Sequence, residues 1–367
     1  MKKILFVVNV DWFFISHRLP IALEAIKKGY EVHIACGITT KKEYLESLNL
    51  KVHPLNISRS GTGAKGELKT LFEIYKVLKD INPDVAHFVT IKPVIYGGIA
   101  TRFLNISKKV FSISGLGFIF IKQAFKASLI RIVVKNLYRF ALGGKNSCVI
   151  VQNPDDKALI NSILKVYTVL IRGSGVSLSD YKYVEEKSEK LKVTMACRLL
   201  KDKGVFEYLD AVRILKNKYS YIDFELFGDI DTHNPASLTI DDLENIKQEN
   251  IVKVFGFSSD MAKVFSETNI VVLPSYREGL PKVLIEAAAC GRAVVTTDVP
   301  GCRDAIEINQ TGLLCEVKNS QSLAKQIEKL VLDKDLRNSM GKSGRKLAEE
   351  EFDINKVIKK YFEIYEG

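Results

Sequence analysis

Two glutamates and two cations in the second half of the chain have the spacing needed to bind a charged, hydroxyl-rich molecule. Glu278 and Glu286, with seven residues between them, follow the apolar run Ile270–Leu273. A carboxylate can accept two hydroxyl hydrogen bonds, as sugar and ribose diols require. Arg198 and Lys203 follow another apolar run. An arginine and a lysine so placed can bracket a diphosphate and stabilise it as it leaves.

The residues around Glu278 have the pattern of a parallel sheet with a covering helix. Ile270–Leu273 is predicted to be a buried strand, Pro281 to begin a helix, and Ala293–Thr297 to be the next strand. Ligands of such sheets bind outside the carboxyl ends of the strands. The loop that contains Glu278 lies at that edge. The backbone N–H groups near Gly279 stand at the helix N-terminus, where an anion is favoured.

Two of these residues also have a simpler interpretation. Glu286 could pair with Lys282 at i,i+4 on an exposed helix face, and Arg198 could be an ordinary surface residue. The helix around Glu286 is apolar on most sides, and Arg198 stands at a strand end, where ligands bind. Both observations favour the ligand-binding interpretation.

Strand and helix patterns alternate along the whole chain of 367 residues, which predicts two doubly wound α/β domains. The stretch after the first strand, Asn9–Pro20, lacks the G-x-G-x-x-G motif, which disfavours nicotinamide-dinucleotide binding. The charged segment Lys182–Lys190 is expected to be exposed, and we place the domain boundary near Tyr181.

The stretch that contains both glutamates, LPSYREGLPKVLIEAAACGRAVV, carries an E-x7-E motif and resembles the family-four retaining glycosyltransferases. The likeness covers essentially the whole chain. It implies the GT-B fold, in which two Rossmann-like, doubly wound domains face each other across a cleft. The implied divisions are an acceptor- and membrane-facing domain at 1–180, a nucleotide-sugar-binding domain at 181–352, and a C-terminal helix at 353–367 that crosses back to the first domain.

The resemblance implies that the donor site lies in the second half. Arg198 and Lys203 would hold the donor diphosphate, Glu286 the ribose diol, and Glu278 the sugar hydroxyls or the phosphate side. The arginine–lysine pair would replace a divalent cation, so no metal or other cofactor is expected. The other implied donor contacts are Gly228, Phe257, Gly279, Leu280 and Val283.

The first half carries features that the resemblance assigns to a lipid-linked acceptor. The S/F-x-HR-x-P pattern at His17 and Arg18 resembles a bacterial subset of the family that acts on lipid-linked sugars. Both side chains are expected to face the cleft, with His17 as a candidate catalytic residue; alternatively, His17 is an ordinary residue of a helical turn. The segment SGLGF is either a plain turn or a loop that permits close ligand approach. Its implied acceptor contacts are Ser114, Gly115 and Gly117.

Within the family, the chain most resembles bacterial N-acetylgalactosaminyltransferases that act on undecaprenyl-diphosphate-linked sugars. The segments SGLGF, NPASL and LPSYREGLP and a basic helix carry that likeness. It implies a UDP-sugar donor, with an N-acetylhexosamine such as GalNAc, and a polyprenyl-diphosphate-linked saccharide as the acceptor. The product would belong to a bacterial surface glycan such as O-antigen, capsule or protein glycan.

Positive charge is concentrated in the first half. The net charge is +11, and residues 1–170 hold 25 Lys and Arg against 11 Asp and Glu. No acidic residue lies between Val85 and Pro154, a span with ten cations. This asymmetry predicts an anionic partner, and we expect the inner-membrane surface rather than nucleic acid, because the aromatic residues here have helix-core spacing. Ile119–Leu142 is either a helix lying against that surface or a core helix with a solvated basic face.

The remaining features predict a cytoplasmic protein that is peripheral on the cytoplasmic face of the inner membrane. The six cysteines form no C-x-x-C pair and several lie in apolar runs, so we expect buried, reduced thiols. Lys2 and Lys3 lead directly into a strand without an apolar signal segment. No uncharged apolar run approaches the roughly 18 residues of a transmembrane helix.

Two other classes of function stay open at this point. A nucleotide-sugar epimerase of the same fold would need its own acid and base carboxylates in the cleft. A non-enzymatic, basic membrane-binding protein would explain the first half. It would not explain the two glutamates or the Arg198 and Lys203 pair.

Overall fold

The computed structural model describes residues 1–57, 63–115, 125–186, 190–232 and 234–367, with the backbone alone for 64 and 125–133. Its described residues form two compact units. The first comprises Met1–Ser174 together with Lys356–Gly367, and the second comprises Gly175–Asn355.

The first unit is built on a parallel sheet whose described strands follow the order β3-β2-β1-β4-β5-β6-β7. The strands are β1 (Lys3–Val10), β2 (Glu31–Gly37), β3 (Lys51–Pro54), β4 (Val85–Val89), β5 (Lys108–Ile113), β6 (Ser147–Val151) and β7 (Tyr167–Leu170). The helices between them are α1 (Asp11–His17), α2 (Leu19–Lys27), α3 (Lys42–Ser47), α4 (Gly63–Ile81), α5 (Ile91–Ala100), α6 (Phe125–Leu142) and α7 (Pro154–Ile163).

Apolar side chains cover both faces of this sheet, as is usual when all strands are parallel. Alternate residues of β1 point to opposite faces. Phe6 and Val8 therefore belong to one buried cluster, and Leu5 and Val7 belong to another. Helices pack on both faces, so the ends of the strands are the part of the sheet where a site can form.

The second unit repeats this design with a parallel sheet whose described strands follow the order β10-β9-β8-β11-β12-β13. The strands are β8 (Lys192–Ala196), β9 (Asp223–Phe227), β10 (Lys253–Gly256), β11 (Ile270–Leu273), β12 (Ala293–Thr297) and β13 (Gly312–Cys315). The helices are α8 (Val205–Lys216), α9 (Ile240–Glu249), α10 (Met261–Glu267), α11 (Lys282–Ala289), α12 (Ser320–Leu332) and α13 (Lys334–Leu347).

The last helix, α14 (Ile354–Glu366), packs in the core of the first unit. Tyr361 and Tyr365 belong to one of the buried clusters on its sheet. The Tyr365 hydroxyl lies 2.7 Å from His87 Nδ1, and His87 Nε2 lies 2.7 Å from Ser112 Oγ. Burial lowers the pKa of His87 well below its usual range, so a neutral imidazole links the helix to the sheet.

The segment after β1 is helical from Asp11, whose buried carboxylate accepts hydrogen bonds from Thr39 and Lys41 of the loop that follows β2. One expectation about local structure is corrected. The segment from Lys182 is not simply exposed: Glu186 forms a 2.7 Å ion pair with Arg337, and both side chains are under 10% exposed, at 7% and 6%.

The basic helix is described only in part. Its residues before Phe125 lie outside the described part of the chain, and the described end buries Tyr138 and Leu142 while Phe140 stays half-exposed. Among the described residues, no helix is both long and apolar enough to span a bilayer. All six cysteines are free thiols, five of them buried and Cys197 partly buried, as the sequence predicts.

Candidate functional site

The carboxyl edge of the second sheet gathers the residues predicted to bind the donor. Arg198 follows β8, Gly228 follows β9, Phe257 follows β10 and Glu278 follows β11. Gly301, which was not among the predicted donor contacts, follows β12. Strands β8 and β11 are neighbours in the middle of the sheet. From β8 the chain continues to β9 on one side, and from β11 it continues to β12 on the other side. Ligands of open α/β sheets bind at such a switch point.

Lys203 and Glu278 form an ion pair at this edge. Lys203 Nζ donates to Glu278 Oε1, and the Ser275 hydroxyl donates to the same oxygen over 2.6 Å. The two charged side chains are only 18% and 13% exposed. Burial opposes the charge on Lys203, but Glu278 more than compensates, and the pKa of Lys203 lies above its usual value. Lys203 therefore stays charged and is held in place beside the β8 and β11 loops.

Arg198 is paired with Asp231, a residue that the sequence analysis did not predict to lie in the site. Arg198 NH1 lies 3.0 Å from Asp231 Oδ2. The Asp231 backbone N–H donates to Ser237 Oγ over 2.8 Å, and Leu200 forms an isolated bridge with Ser237. The NPASL segment thus positions the acid beside Arg198. Only its likeness to relatives signalled the segment in the sequence.

Two glycines bring the strand-end loops into contact. Gly228 has a φ of 130°, and a Cβ there would overlap the carbonyl oxygen of Cys197. Gly301 has a φ of 83°, and a Cβ there would overlap the carbonyl oxygen of Glu278. Only glycine fits both the conformation and the space at these positions. The Glu278 loop is also tied back by a 3.2 Å hydrogen bond from its N–H to Pro300 O.

Glu286 lies on α11 and is only 6% exposed. Its Oε1 accepts a 2.8 Å hydrogen bond from the Tyr181 hydroxyl and lies 3.2 Å from Lys282 Nζ. The i,i+4 pair with Lys282 therefore exists, but on a buried rather than an exposed face. Burial raises the pKa of Glu286, and Lys282 and Tyr181 oppose that rise.

Aromatic side chains lie at the ends of β9 and β10. Phe257 is 76% exposed, and the rings of Phe227 and Phe255 stack with centroids 4.6 Å apart. An exposed aromatic at a strand end can contact the face of a base. Of the other predicted donor contacts, Leu280 is buried and Val283 is partly buried, so they shape the α11 end of the site. Gly279 lies between Glu278 and Leu280, ahead of that helix.

Two of the predicted acceptor residues, His17 and Arg18, are neighbours in the chain but differ in burial. His17 ends α1, is partly buried, and stacks on Phe13 with ring centroids 4.1 Å apart. Arg18 is 1% exposed; its NH1 donates to His17 O over 2.8 Å, and its guanidinium lies 5.6 Å from the Tyr361 ring centroid. A ligand would have to reach a buried guanidinium to contact Arg18 directly.

Three adjacent strands of the first unit end in polar atoms that are buried and lack a hydrogen-bond partner within the described residues. They are Asn9 Oδ1 one residue before the end of β1, Thr90 Oγ1 just after β4 and Ser114 Oγ just after β5. Thr90 also has a φ of 75° and a ψ of 164°, a costly conformation for a β-branched residue. Gly115 follows with a φ of 106°, whereas Gly117 lies outside the described residues.

Comparison with known proteins places both halves of the chain. The family "Glycosyl transferase 4-like" matches residues 3–153, and the family "Glycosyl transferases group 1" matches residues 180–347. A Campylobacter jejuni protein, N,N'-diacetylbacillosaminyl-diphospho-undecaprenol alpha-1,3-N-acetylgalactosaminyltransferase, is 29% identical, and the match covers 96% of this chain and 97% of that protein.

Solved structures of low sequence identity share the fold. Sucrose-phosphate synthase from Thermosynechococcus elongatus superimposes with a TM-score of 0.82 at 19% identity, covering 100% of this chain and 98% of that chain. Anabaena HepE in complex with UDP superimposes with a TM-score of 0.76 at 18% identity, covering 99% of each chain. These structures confirm the predicted fold. The two family matches and the Campylobacter relative favour sugar transfer over the epimerase and non-enzymatic alternatives. The chain is a glycosyltransferase of GT-B architecture, with a glycosyl transferase 4-like first half and a group 1 second half.

Proposed function

We propose that this enzyme transfers an N-acetylhexosamine, with GalNAc as the first candidate, from a UDP-sugar to a polyprenyl-diphosphate-linked saccharide. The reaction retains the anomeric configuration and contributes to a bacterial surface glycan such as O-antigen, capsule or protein glycan. The name of the Campylobacter relative supports the sugar and the acceptor class, and the UDP complex of HepE supports the nucleotide.

The observation that carries this proposal is the set of charged groups at the carboxyl edge of the second sheet. Arg198 and Lys203 supply cations there, and each is already paired with an acid in the same unit. The guanidinium of Arg198 offers five N–H donors and can therefore bind diphosphate oxygens. The diphosphate would compete for them with Asp231. Lys203 would add its remaining N–H donors while Glu278 holds it in place.

Glu278 and Glu286 would contact the parts of the donor that carry hydroxyl groups. The buried Glu286 carboxylate would accept hydrogen bonds from the ribose diol, and Glu278 from the transferred sugar. Gly228 would leave room for the nucleotide, and the backbone near Phe257 would contact the base. A hydrogen bond to a charged group contributes about 1.5–3 kcal/mol, so each contact should affect donor affinity measurably.

The reaction itself would take place on one face of the sugar. The bond between the anomeric carbon and the diphosphate oxygen breaks, and the acceptor hydroxyl forms the new bond from the same face. The departing phosphate accepts the acceptor proton, so no strong protein base is required. Arg198 and Lys203 stabilise the negative charge that develops on the nucleoside diphosphate, without a divalent metal.

The acceptor would bind at the carboxyl edge of the first sheet. The buried polar atoms of Asn9, Thr90 and Ser114 would gain hydrogen-bond partners from sugar hydroxyls or phosphate oxygens there. The basic span Val85–Pro154 would face anionic lipid at the cytoplasmic surface of the inner membrane, close to the acceptor diphosphate. His17 would lie beside this site as a candidate catalytic residue.

A thermal-shift screen of UDP, GDP and their sugars tests the donor assignment. UDP and UDP-N-acetylhexosamines should raise the melting temperature of the wild-type chain. The shift should be lost in Arg198→Ala. It should be kept in Arg213→Ala, which removes a half-exposed arginine paired with Glu249 in the same unit. A preference for GDP, or an unchanged shift in Arg198→Ala, would contradict the assignment.

A further inference from the structure

The amino edge of the first sheet, opposite the carboxyl edge described above, carries a second group of cations. Lys109 is the second residue of β5, and Ser147 is the first residue of β6. These strands pair in parallel with Lys109 opposite Ser147. Arg102 precedes β5, and the Gly143-Gly144 turn precedes β6. The sequence places all of them within the span that lacks acidic residues.

Polar groups of three residues converge on one point beside Gly144. The position that a Cβ of Gly144 would occupy lies 3.3 Å from Lys109 Nζ, 3.3 Å from Ser147 Oγ and 3.6 Å from Arg102 NH1. Gly144 does not have a left-handed backbone, so its conformation does not require glycine. Gly143 is exposed and Gly144 is partly exposed, so the turn that carries this point lies at the surface.

Lys109 is an unusual lysine, because most of the residue is buried and it has no acidic partner among the described residues. The residue is 9% exposed, and within the described part of the chain it forms no ion pair or side-chain hydrogen bond. The Ser147 hydroxyl oxygen is likewise buried without a partner among the described residues. Burial lowers the pKa of Lys109, and the neighbouring Arg102 lowers it further. Buried charges are normally paired, so this arrangement is costly unless an anion is supplied.

Arg102 has a structural role that leaves part of its guanidinium available. Its Nε donates to Phe140 O over 2.7 Å near the C-terminus of α6, and the guanidinium carbon lies 5.2 Å from the Phe140 ring centroid. These contacts account for Nε and one face of the group. They orient NH1 and NH2 toward Gly143 and Gly144, within 3.6 Å of the two Cβ positions.

We propose that Lys109, Arg102 and Ser147 form a phosphate-binding site around Gly144. A phosphate oxygen beside Gly144 would accept from an ammonium, a guanidinium N–H and a hydroxyl, a set of donors that suits a phosphate monoester or diester. The site belongs to the opposite edge of the sheet from the acceptor residues, and it does not depend on the proposed sugar or acceptor. The phosphate could come from an anionic phospholipid headgroup or from a soluble phosphorylated molecule.

The test uses the full chain with two substitutions that act on the site in different ways. Lys109→Met removes the charge but keeps the apolar stem. Gly144→Ala keeps every charge and fills the point where the donors converge. Lys165→Met is the matched control, because it removes an exposed lysine just before β7, at the same edge of the sheet. All four proteins carry Arg198→Ala as well, so phosphate binding at the donor site does not contribute.

Two probes separate the sources of phosphate. Inorganic phosphate and glycerol phosphate are titrated by calorimetry, and vesicles of phosphatidylglycerol or phosphatidylcholine are tested by co-sedimentation. We expect at least one phosphate probe to bind the parent and the Lys165→Met control. That binding should be ten-fold weaker or more in Lys109→Met and Gly144→Ala.

Each outcome has a defined meaning. Loss of soluble phosphate binding assigns the site to a soluble anion, and loss restricted to phosphatidylglycerol vesicles assigns it to a lipid headgroup. Melting temperature in phosphate-free buffer shows whether each variant folds, and Lys109→Met should be at least as stable as its parent because burial and Arg102 both disfavour the charge that it removes. The proposal is overturned if both variants bind every probe as the parent does, or if the parent binds none.

Discussion

The Tyr181 hydroxyl donates a 2.8 Å hydrogen bond to Glu286 Oε1, although 105 residues separate the two along the chain. The Tyr181 backbone is itself fixed, because Arg345 NH1 donates to Tyr181 O over 2.9 Å. A residue near the start of the second unit therefore orients a buried carboxylate on α11. If Glu286 holds the donor ribose, Tyr181 is a positioning residue for donor binding.

Replacing Tyr181 by Phe should weaken donor binding without unfolding the enzyme. The variant loses one hydrogen bond to a buried carboxylate, which corresponds to roughly ten-fold in donor KM. We expect kcat to change much less, because Tyr181 contacts Glu286 and not the reacting atoms. Tyr219→Phe is the control, since it removes a hydroxyl that donates to Glu328 over 2.9 Å elsewhere in the unit. Equal KM values for the two variants would refute the positioning role.

Donor affinity should fall at acid pH because of Glu286. Burial raises the pKa of this carboxyl above its ordinary value of 4.5. Below the raised pKa the group is protonated and loses part of its capacity to accept ribose hydrogen bonds. The decline should therefore occur above pH 4.5, and Tyr181→Phe should shift it to higher pH because the tyrosine stabilises the carboxylate.

Titrating UDP by calorimetry across a pH series measures this effect. Glu286→Gln has no group to titrate at that position, so it should retain only the pH dependence that belongs to the nucleotide phosphate. Identical pH profiles for the wild type and Glu286→Gln would mean that Glu286 does not hold the donor.

Transfer should continue in the presence of a chelator. In the proposed donor site, Arg198 and Lys203 would provide the positive charge that a divalent cation otherwise supplies to the leaving diphosphate. Initial rates in EDTA should stay close to those in magnesium. Loss of turnover in EDTA that magnesium or manganese restores would show that a metal takes part.

Membrane attachment should require anionic lipid and weaken with salt. Each basic residue near an anionic surface contributes about 1 kcal/mol, so a few of the ten cations between Val85 and Pro154 would give measurable binding. Changing Lys122, Lys126, Arg131 and Lys135 to Glu should reduce co-sedimentation with phosphatidylglycerol vesicles. Equal binding to neutral and anionic vesicles would contradict this basis for attachment.

The fold could be predicted from local patterns because a parallel sheet leaves strong ones. Buried strands such as Ile270–Leu273 are continuous apolar runs, and the structure has that strand with the predicted bounds. Pro281 also marks the start of α11 as expected, and Gly291, at a φ of 73°, follows its end. These signals depend only on neighbouring residues, so one sequence is enough to read them.

The partners within the site could not be predicted in the same way. Asp231 lies 33 residues from Arg198, and Lys203 lies 75 residues from Glu278. Their contacts depend on how the strand ends come together in the fold. The local hydrophobic periodicity of the sequence carries no information about that. The contact made by the first residue of α1 is equally non-local, because Asp11 bonds to the loop at Thr39, 28 residues away.

The most direct test of the account is a transfer assay with a UDP-N-acetylhexosamine and an undecaprenyl-diphosphate-linked saccharide. Product NMR should show an α-linked sugar, the configuration of an α-linked donor. Arg198→Ala and Glu286→Gln should lose at least ten-fold in kcat/KM while keeping the wild-type melting temperature, and Arg213→Ala should retain activity. An inverted product would contradict the retaining mechanism, and wild-type kinetics in both site variants would contradict the placement of the donor site.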